Sequence, residues 1–115
     1  MNGRLLISLV FSLVLLGCDE VPEEKRIALQ SGETYTYDLN IYGDEEGAVI
    51  KQHAKHYELS ELARDSSTNW SVVYRYAPEK GYIGKDYVEI ETCTGGEGIV
   101  CSEIGIVSIS FNIIQ

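Results

Sequence analysis

Chemistry in this chain would have to come from its 18 acidic residues, two histidines and three cysteines. The histidines, His53 and His56, invite a metal. On a strand, positions i and i+3 face opposite ways, so the pair could share an ion only on a helix, and a zinc site also needs a third ligand at suitable spacing. Surface histidines are the simpler reading. Asp44, Glu45 and Glu46 form an acidic turn that, aided by Asp86, could offer oxygens to calcium. The spaced acidic loop of an EF-hand is missing, and a solvated turn accounts for the acids. Serines occur without a glycine-flanked nucleophile, a phosphate loop or an identifiable base. No catalytic residue, metal site or cofactor is expected, and the chain reads as a non-enzyme. The densest cluster of functional groups is YAPEKGYIGKDYVEIETC, residues 76–93. Whether it is a site or a structural joint depends on the elements around it.

The chain opens MNGRLLISLVFSLVLLGCDE: a short stretch with Arg4, an uncharged apolar run over residues 5–16 interrupted only by Ser8 and Ser12, then Gly17 and Cys18. That is the layout of a secretory signal peptide. Its apolar run is shorter than the about 20 helical residues that cross a bilayer core, so cleavage rather than retention is expected. Leu15, Leu16, Gly17 and Cys18 resemble the bacterial lipobox, in which the cysteine is lipidated and becomes the new amino terminus. The alternative is an ordinary signal peptide with a chance cysteine. The resemblance implies a leader over 1–17, whose apolar run would be helical, and a membrane anchor at Cys18. Acyl chains, each CH₂ worth about 0.8 kcal/mol in lipid, would supply the hold. Residues 18–26 then read as the lipidated cysteine and a short acidic tether, charged and without apolar periodicity. Asp19 resembles an inner-membrane retention signal of some two-membrane bacteria, whereas in other lineages acids after the cysteine resemble a signal for the cell surface. Inner membrane, outer membrane and cell surface all stay open.

Residues 27–115 suffice for one small domain. Formal net charge is −9 for the whole chain and more negative still once Arg4 is set aside. This balance argues against nucleic acid and anionic lipid, which reward basic patches. In an exported chain the even pair Cys93 and Cys101 reads first as a disulfide, with two free thiols as the alternative.

TYTYDLNI alternates, placing Tyr35, Tyr37, Leu39 and Ile41 on one face of a strand. AVIKQHAKHYELSEL fits a helix through Ile50, Ala54 and Tyr57, or an irregular strand through Val49, His53, Tyr57 and Leu59; strand is favoured. NWSVVYRY groups Trp70, Val72, Tyr74 and Tyr76. DYVEIETC turns Val88, Ile90 and Thr92 inward and Cys93 outward. The last segment sets Val107, Ile109, Phe111 and Ile113 against Ser108, Ser110 and Asn112. Short strands, glycine-rich turns and no persuasive helix predict an all-β sandwich. A Cys93–Cys101 bridge would pin its last hairpin in register, since a one-residue slip would turn the apolar set toward water.

Tyr74, Tyr76, Pro78, Gly81, Tyr82, Gly84, Asp86 and Val88, followed by Gly95, Gly96 and IVSISFNI, resemble the signature of bacterial Ig-like or cadherin-like repeats. The likeness covers about residues 74–114 and is weak over 27–73. It implies an Ig-like/cadherin-like β-sandwich and makes residues 76–86 a scaffold joint. In that joint Pro78 ends a strand, Gly81 and Gly84 shape a corner around Tyr82, and Asp86 accepts backbone N–H groups that the corner leaves open. Such repeats usually occur in tandem, while here one copy stands behind an anchor.

Tyr42, Tyr82 and Tyr87, near turns or on the outer face, are the residues placed to touch a protein or glycan of the cell envelope. The expected function is a membrane-anchored, non-enzymatic interaction or structural module. The alternative is a small envelope inhibitor or ligand-binding lipoprotein with a compact β-barrel.

Overall fold

The computed structural model describes residues 23–44, 46–95 and 101–115. The expected leader, its helix, the anchor Cys18 and the first part of the tether lie outside the described residues, as do Glu45 and residues 96–100.

Seven strands form, β1 (Glu23–Gln30), β2 (Tyr35–Asp38), β3 (Gly47–Gln52), β4 (Tyr57–Ala63), β5 (Val73–Pro78), β6 (Gly84–Thr94) and β7 (Glu103–Ile114). The described residues contain no α-helix, only a 3-10 turn at Ser66–Thr68. The fold is all-β, with a four-stranded sheet in the order β1-β7-β6-β3 and a three-stranded sheet in the order β2-β5-β4. β1 runs parallel to β7, and every other pair is antiparallel. The ladders remain two separate sheets and do not close into a barrel.

One core lies between the sheets. From the larger sheet come Leu29, Val88, Ile90, Val107, Ile109, Phe111 and Ile113, and from the smaller come Tyr74 and Tyr76, all buried. Alternation puts them there, because a period of two sends every second residue of β6 and β7 to one face. Tyr76 joins the sheets directly, its ring stacked on that of Phe111 with centroids 4.0 Å apart. Tyr35 meets the same phenylalanine edge-on at 5.6 Å. Burying such rings dominates core energetics, and each such pair adds about 0.5–1.5 kcal/mol beyond area.

Three expectations change. The segment read as a tether through residue 26 is already strand β1 from Glu23, paired along its length with Val107 to Ile114. Backbone pairing is indifferent to side-chain charge, and the two charges on the face of Ile27 and Leu29, Glu23 and Lys25, pair with each other. Lys25 lies over the Tyr37 ring at 5.3 Å and pairs with Glu23 at 3.1 Å. Trp70 leaves the alternating set, because β5 starts only at Val73. The residues left open over 49–68 resolve into β3, β4 and the 3-10 turn, with Ile50 rather than Val49 packed toward the core.

The connections gather at two ends. Residues 31–34, 53–56 and 79–83 lie at one end, and residues 39–44, 64–72 and the hairpin-closing pair Thr94↔Glu103 at the other, as the registers Tyr57↔Pro78, Ala63↔Val73 and Gly47↔Cys93 require. The Cys93–Cys101 disulfide forms, with Cα atoms 5.5 Å apart, and closes the end of the β6–β7 hairpin: Cys93 pairs with Ile104 inside the ladder, and Cys101 lies just outside the last pair, Thr94↔Glu103.

Candidate functional site

At the first of these ends the stretch 76–93 resolves into a joint built around Asp86. Its position on β6 has the same parity as Val88 and Ile90, so the carboxylate points inward and is 7% exposed. Oδ1 accepts the N–H groups of Lys55 at 2.8 Å and Tyr87 at 3.0 Å. Oδ2 accepts the N–H of His56 at 2.9 Å and the Tyr76 hydroxyl at 2.8 Å. Burial pushes this carboxyl's pKa up, but the N–H groups of Lys55 and His56, the Tyr76 hydroxyl and the Tyr87 N–H outweigh it and hold the group below its ordinary value. Three of the four donors are backbone N–H groups, and the fourth, the Tyr76 hydroxyl, also lies 3.1 Å from the His56 carbonyl. Two of them belong to the 53–56 loop rather than to the corner itself, which corrects the expected source of those N–H groups.

The corner has its own geometry. Pro78 is the buried last residue of β5. Gly81 has φ +80° and Gly84 φ +139°, and at Gly84 a Cβ would stand 2.8 Å from the Tyr82 hydroxyl. That hydroxyl donates to the Lys85 carbonyl at 2.6 Å, while the Tyr82 ring stacks on His56 at 4.1 Å. His56 Nδ1 in turn lies 3.8 Å from Glu79. Tyr76, Pro78, Gly81, Tyr82, Gly84 and Asp86 are thus brought together as one joint. All four hydrogen bonds to Asp86 are made inside the fold, so the carboxylate is engaged structurally.

The acidic turn and Asp86 are not brought together. Asp44 and Glu46 sit at the far end of β6, where Gly47 pairs with Cys93. Glu46 is occupied there, accepting the N–H groups of Gly43 at 3.1 Å and Gly95 at 2.8 Å. Among the described residues no three acidic, histidine or cysteine side chains converge on a metal position.

Tyr42, Tyr82 and Tyr87 also do not share a surface. Tyr42 lies in the 39–44 loop and Tyr82 in the corner at the opposite end. Tyr87 lies on the outer face of the larger sheet, half-buried, with its hydroxyl 3.1 Å from that of Ser108. Beside Tyr87 is a shallow cavity of about 320 Å³ lined also by Gln52, Lys55, His56, Lys85, Asp86, Ser110 and Phe111. A second of about 520 Å³, lined by Arg26 and Asn112, adjoins it at Lys85 and Ser110.

The other end carries a residue that strand periodicity assigned to the core. Trp70 is 58% exposed, with φ +64°, directly after Asn69 at φ +56°. Two successive left-handed residues, one of them a tryptophan, cost roughly 1–2 kcal/mol each. Hydrogen bonds hold them in place. Asp65 accepts Ser67 N–H at 2.8 Å and its own N–H donates to Thr68 Oγ1 at 3.1 Å. The Asp65 carbonyl accepts the Trp70 N–H at 2.9 Å. Thr68 Oγ1 donates to the Ser71 carbonyl at 2.7 Å, and buried Ser71 donates to Asp38 at 2.5 Å. The signal was available in DSSTN, residues 65–69, a capping sequence that interrupts a strand before it reaches Trp70.

Tyr42, 53% exposed, leaves the neighbouring loop of that end. It follows Ile41, whose carbonyl accepts the Val72 N–H at 3.0 Å. Arg64 clamps this loop, donating to the carbonyls of Ile41 at 3.0 Å and Glu46 at 3.2 Å. Two large exposed aromatic side chains therefore emerge from adjacent, internally bonded loops.

No known protein family matches the chain, and no curated protein does. Among solved structures, a 2,6-sialyltransferase of Vibrionaceae Photobacterium sp. JT-ISH-224, crystallised with CMP and lactose, is similar at a TM-score of 0.45 and 13% identity. The match covers 83% of this chain but spans only 18% of that enzyme. A likeness of that size bears on neither activity nor substrate here.

Proposed function

We propose that the chain is a lipid-anchored protein of the bacterial envelope that displays one Ig-like module and acts by binding rather than by catalysis. The observation that carries this reading is the strand order, β1-β7-β6-β3 packed on β2-β5-β4 with β1 parallel to β7. An Ig-like Greek key likewise lays about seven strands in two sheets around one core and clusters its loops at the two ends. The Asp86 joint supports the same reading, since its carboxylate is spent on holding a corner and a loop together. Cys18, following Leu15, Leu16 and Gly17, supports the anchor.

A second reading has the cavity beside Tyr87 behind it. Its volume of about 320 Å³ falls at the small end of ligand sites, and it would suit a ligand-binding or inhibitory lipoprotein. The separate sheets fit the Ig-like order better than the compact barrel first attached to that alternative.

The anchor is tested by producing the full chain in a bacterium fed a labelled fatty acid. The native chain should carry label and sediment with membranes, and Cys18→Ser should lose both properties. An unlabelled native chain in the soluble fraction would overturn the anchored reading.

A further inference from the structure

We infer that the Trp70 and Tyr42 loops form an aromatic platform for a neutral or N-acetylated glycan. The inference rests on the reading of the chain as a binding module and names the class of partner for it.

Three observations lead there. First, a tryptophan is held outward, 58% exposed, in a left-handed conformation that bulky side chains ordinarily avoid. The loop satisfies its own polar groups through Asp65, Thr68 and Ser71, so the ring's exposure is not a side effect of a loose segment. Strained, over-determined residues of this kind collect at ligand clamps, and a rigid aromatic loses little freedom when it binds. Second, Tyr42 leaves the adjacent loop, 53% exposed, and Arg64 fixes that loop through two carbonyls.

Third, the polar surroundings decide the partner. A protein interface of standard size covers about 800 Å² per partner around an apolar centre. Here the exposed polar residues of the two loops include Ser66, Ser67, Asn69 and Asp44, a donor and acceptor set that matches sugar hydroxyls. The aromatic faces would take the apolar C–H face of a pyranose. Asp38, Asp44 and Asp65 make this end acidic, Arg64 is engaged with carbonyl groups, and Arg75, whose charge reaches Asp65, is paired with Glu61 at 3.5 Å. Uronic and sialic acids would be repelled, which leaves neutral and N-acetylated sugars.

Trp70 is the protein's single tryptophan, so its fluorescence reports on this site alone. The full chain is held in a detergent without a sugar headgroup. It is titrated with hexamers of glucose and of N-acetylglucosamine, with a panel of other neutral oligosaccharides, with purified cell-wall glycan and with polygalacturonate. Saturable, blue-shifted emission with reduced iodide quenching is expected from one or more neutral or N-acetylated glycans and not from the polyuronate. By calorimetry Trp70→Ala should weaken that binding at least tenfold, Tyr42→Ala less, and Trp70→Phe should restore part of it. Unchanged melting temperatures would separate lost binding from lost folding. No emission change with any glycan, response to the polyuronate alone, or binding unaltered in Trp70→Ala would overturn the platform. A chain that still captures an envelope protein in the last case keeps its standing as a binding module while losing this site.

Discussion

The Tyr76 hydroxyl donates to Asp86 Oδ2 at 2.8 Å, linking the middle strand of the smaller sheet to an inner position of the larger one. The bond lies beside the Tyr76–Phe111 stack, so a polar and an aromatic contact fasten the sheets at the same place. Stability and acid sensitivity should both depend on it.

Replacing Asp86 by Asn sets an NH₂ against a cluster of donors and removes charge-assisted bonds, each worth about 1.5–3 kcal/mol. Urea denaturation of Asp86→Asn should show a loss of about 3 kcal/mol or more. Glu89→Gln, on the outer face of the same strand, should stay within about 0.5 kcal/mol. Equal effects at both positions would contradict the joint.

The same carboxylate sets an acid limit. Its folded-state pKa lies below the ordinary value, so the unfolded chain takes up the proton first as pH falls. The stabilisation is present above the unfolded value of about 4 and is lost as pH drops through the folded one. Asp38, bonded by Ser71, and Asp65, bonded by Ser67, are also held low. Asp86→Asn should therefore flatten the stability profile below pH about 4 without levelling it.

At the alkaline side burial pushes the Tyr74 hydroxyl up to about 12 and raises that of Tyr76 too. These groups stabilise the fold below the unfolded value of about 10, and that share disappears as pH rises toward the folded values. Ultraviolet titration should show two tyrosines ionising only with unfolding. Their early, reversible ionisation would contradict the described core.

The Cys93–Cys101 bridge closes a short loop, and such cross-links contribute roughly 2–3 kcal/mol. The double variant Cys93→Ser, Cys101→Ser should lose about that much while keeping its far-ultraviolet circular dichroism. Complete unfolding at 25 °C would show that the bridge does more than fix the register of one hairpin.

Trp70→Gly relieves a left-handed tryptophan worth roughly 1–2 kcal/mol of strain, against roughly 0.4–1 kcal/mol of added unfolded-state freedom. Stability should range from unchanged to about 1.6 kcal/mol higher. A loss above 2 kcal/mol would mark Trp70 as a packing residue instead.

Much of the fold was legible because β6 and β7 alternate cleanly. Val88, Ile90, Ile109, Phe111 and Ile113 occupy the inner positions that their spacing assigns. The joint at residues 76–86 was legible from its proline, glycines and aspartate, though not the loop that Asp86 binds, since Lys55 and His56 are 30 or so residues away and contribute only N–H groups. Backbone donors leave no mark in residue type. β1 was read as tether because its first four residues are charged, whereas a strand needs only ladder partners and one apolar edge. Trp70 was misplaced because periodicity counts types and takes no account of a turn that breaks phase.

The central claim is that this chain binds rather than catalyses, and affinity capture of the full chain, bridge intact, against envelope extract and purified cell-wall material tests it most directly. The account predicts saturable capture of one protein or glycan that is released unchanged. Capture of nothing by a folded sample, or release of a chemically altered partner, would contradict it.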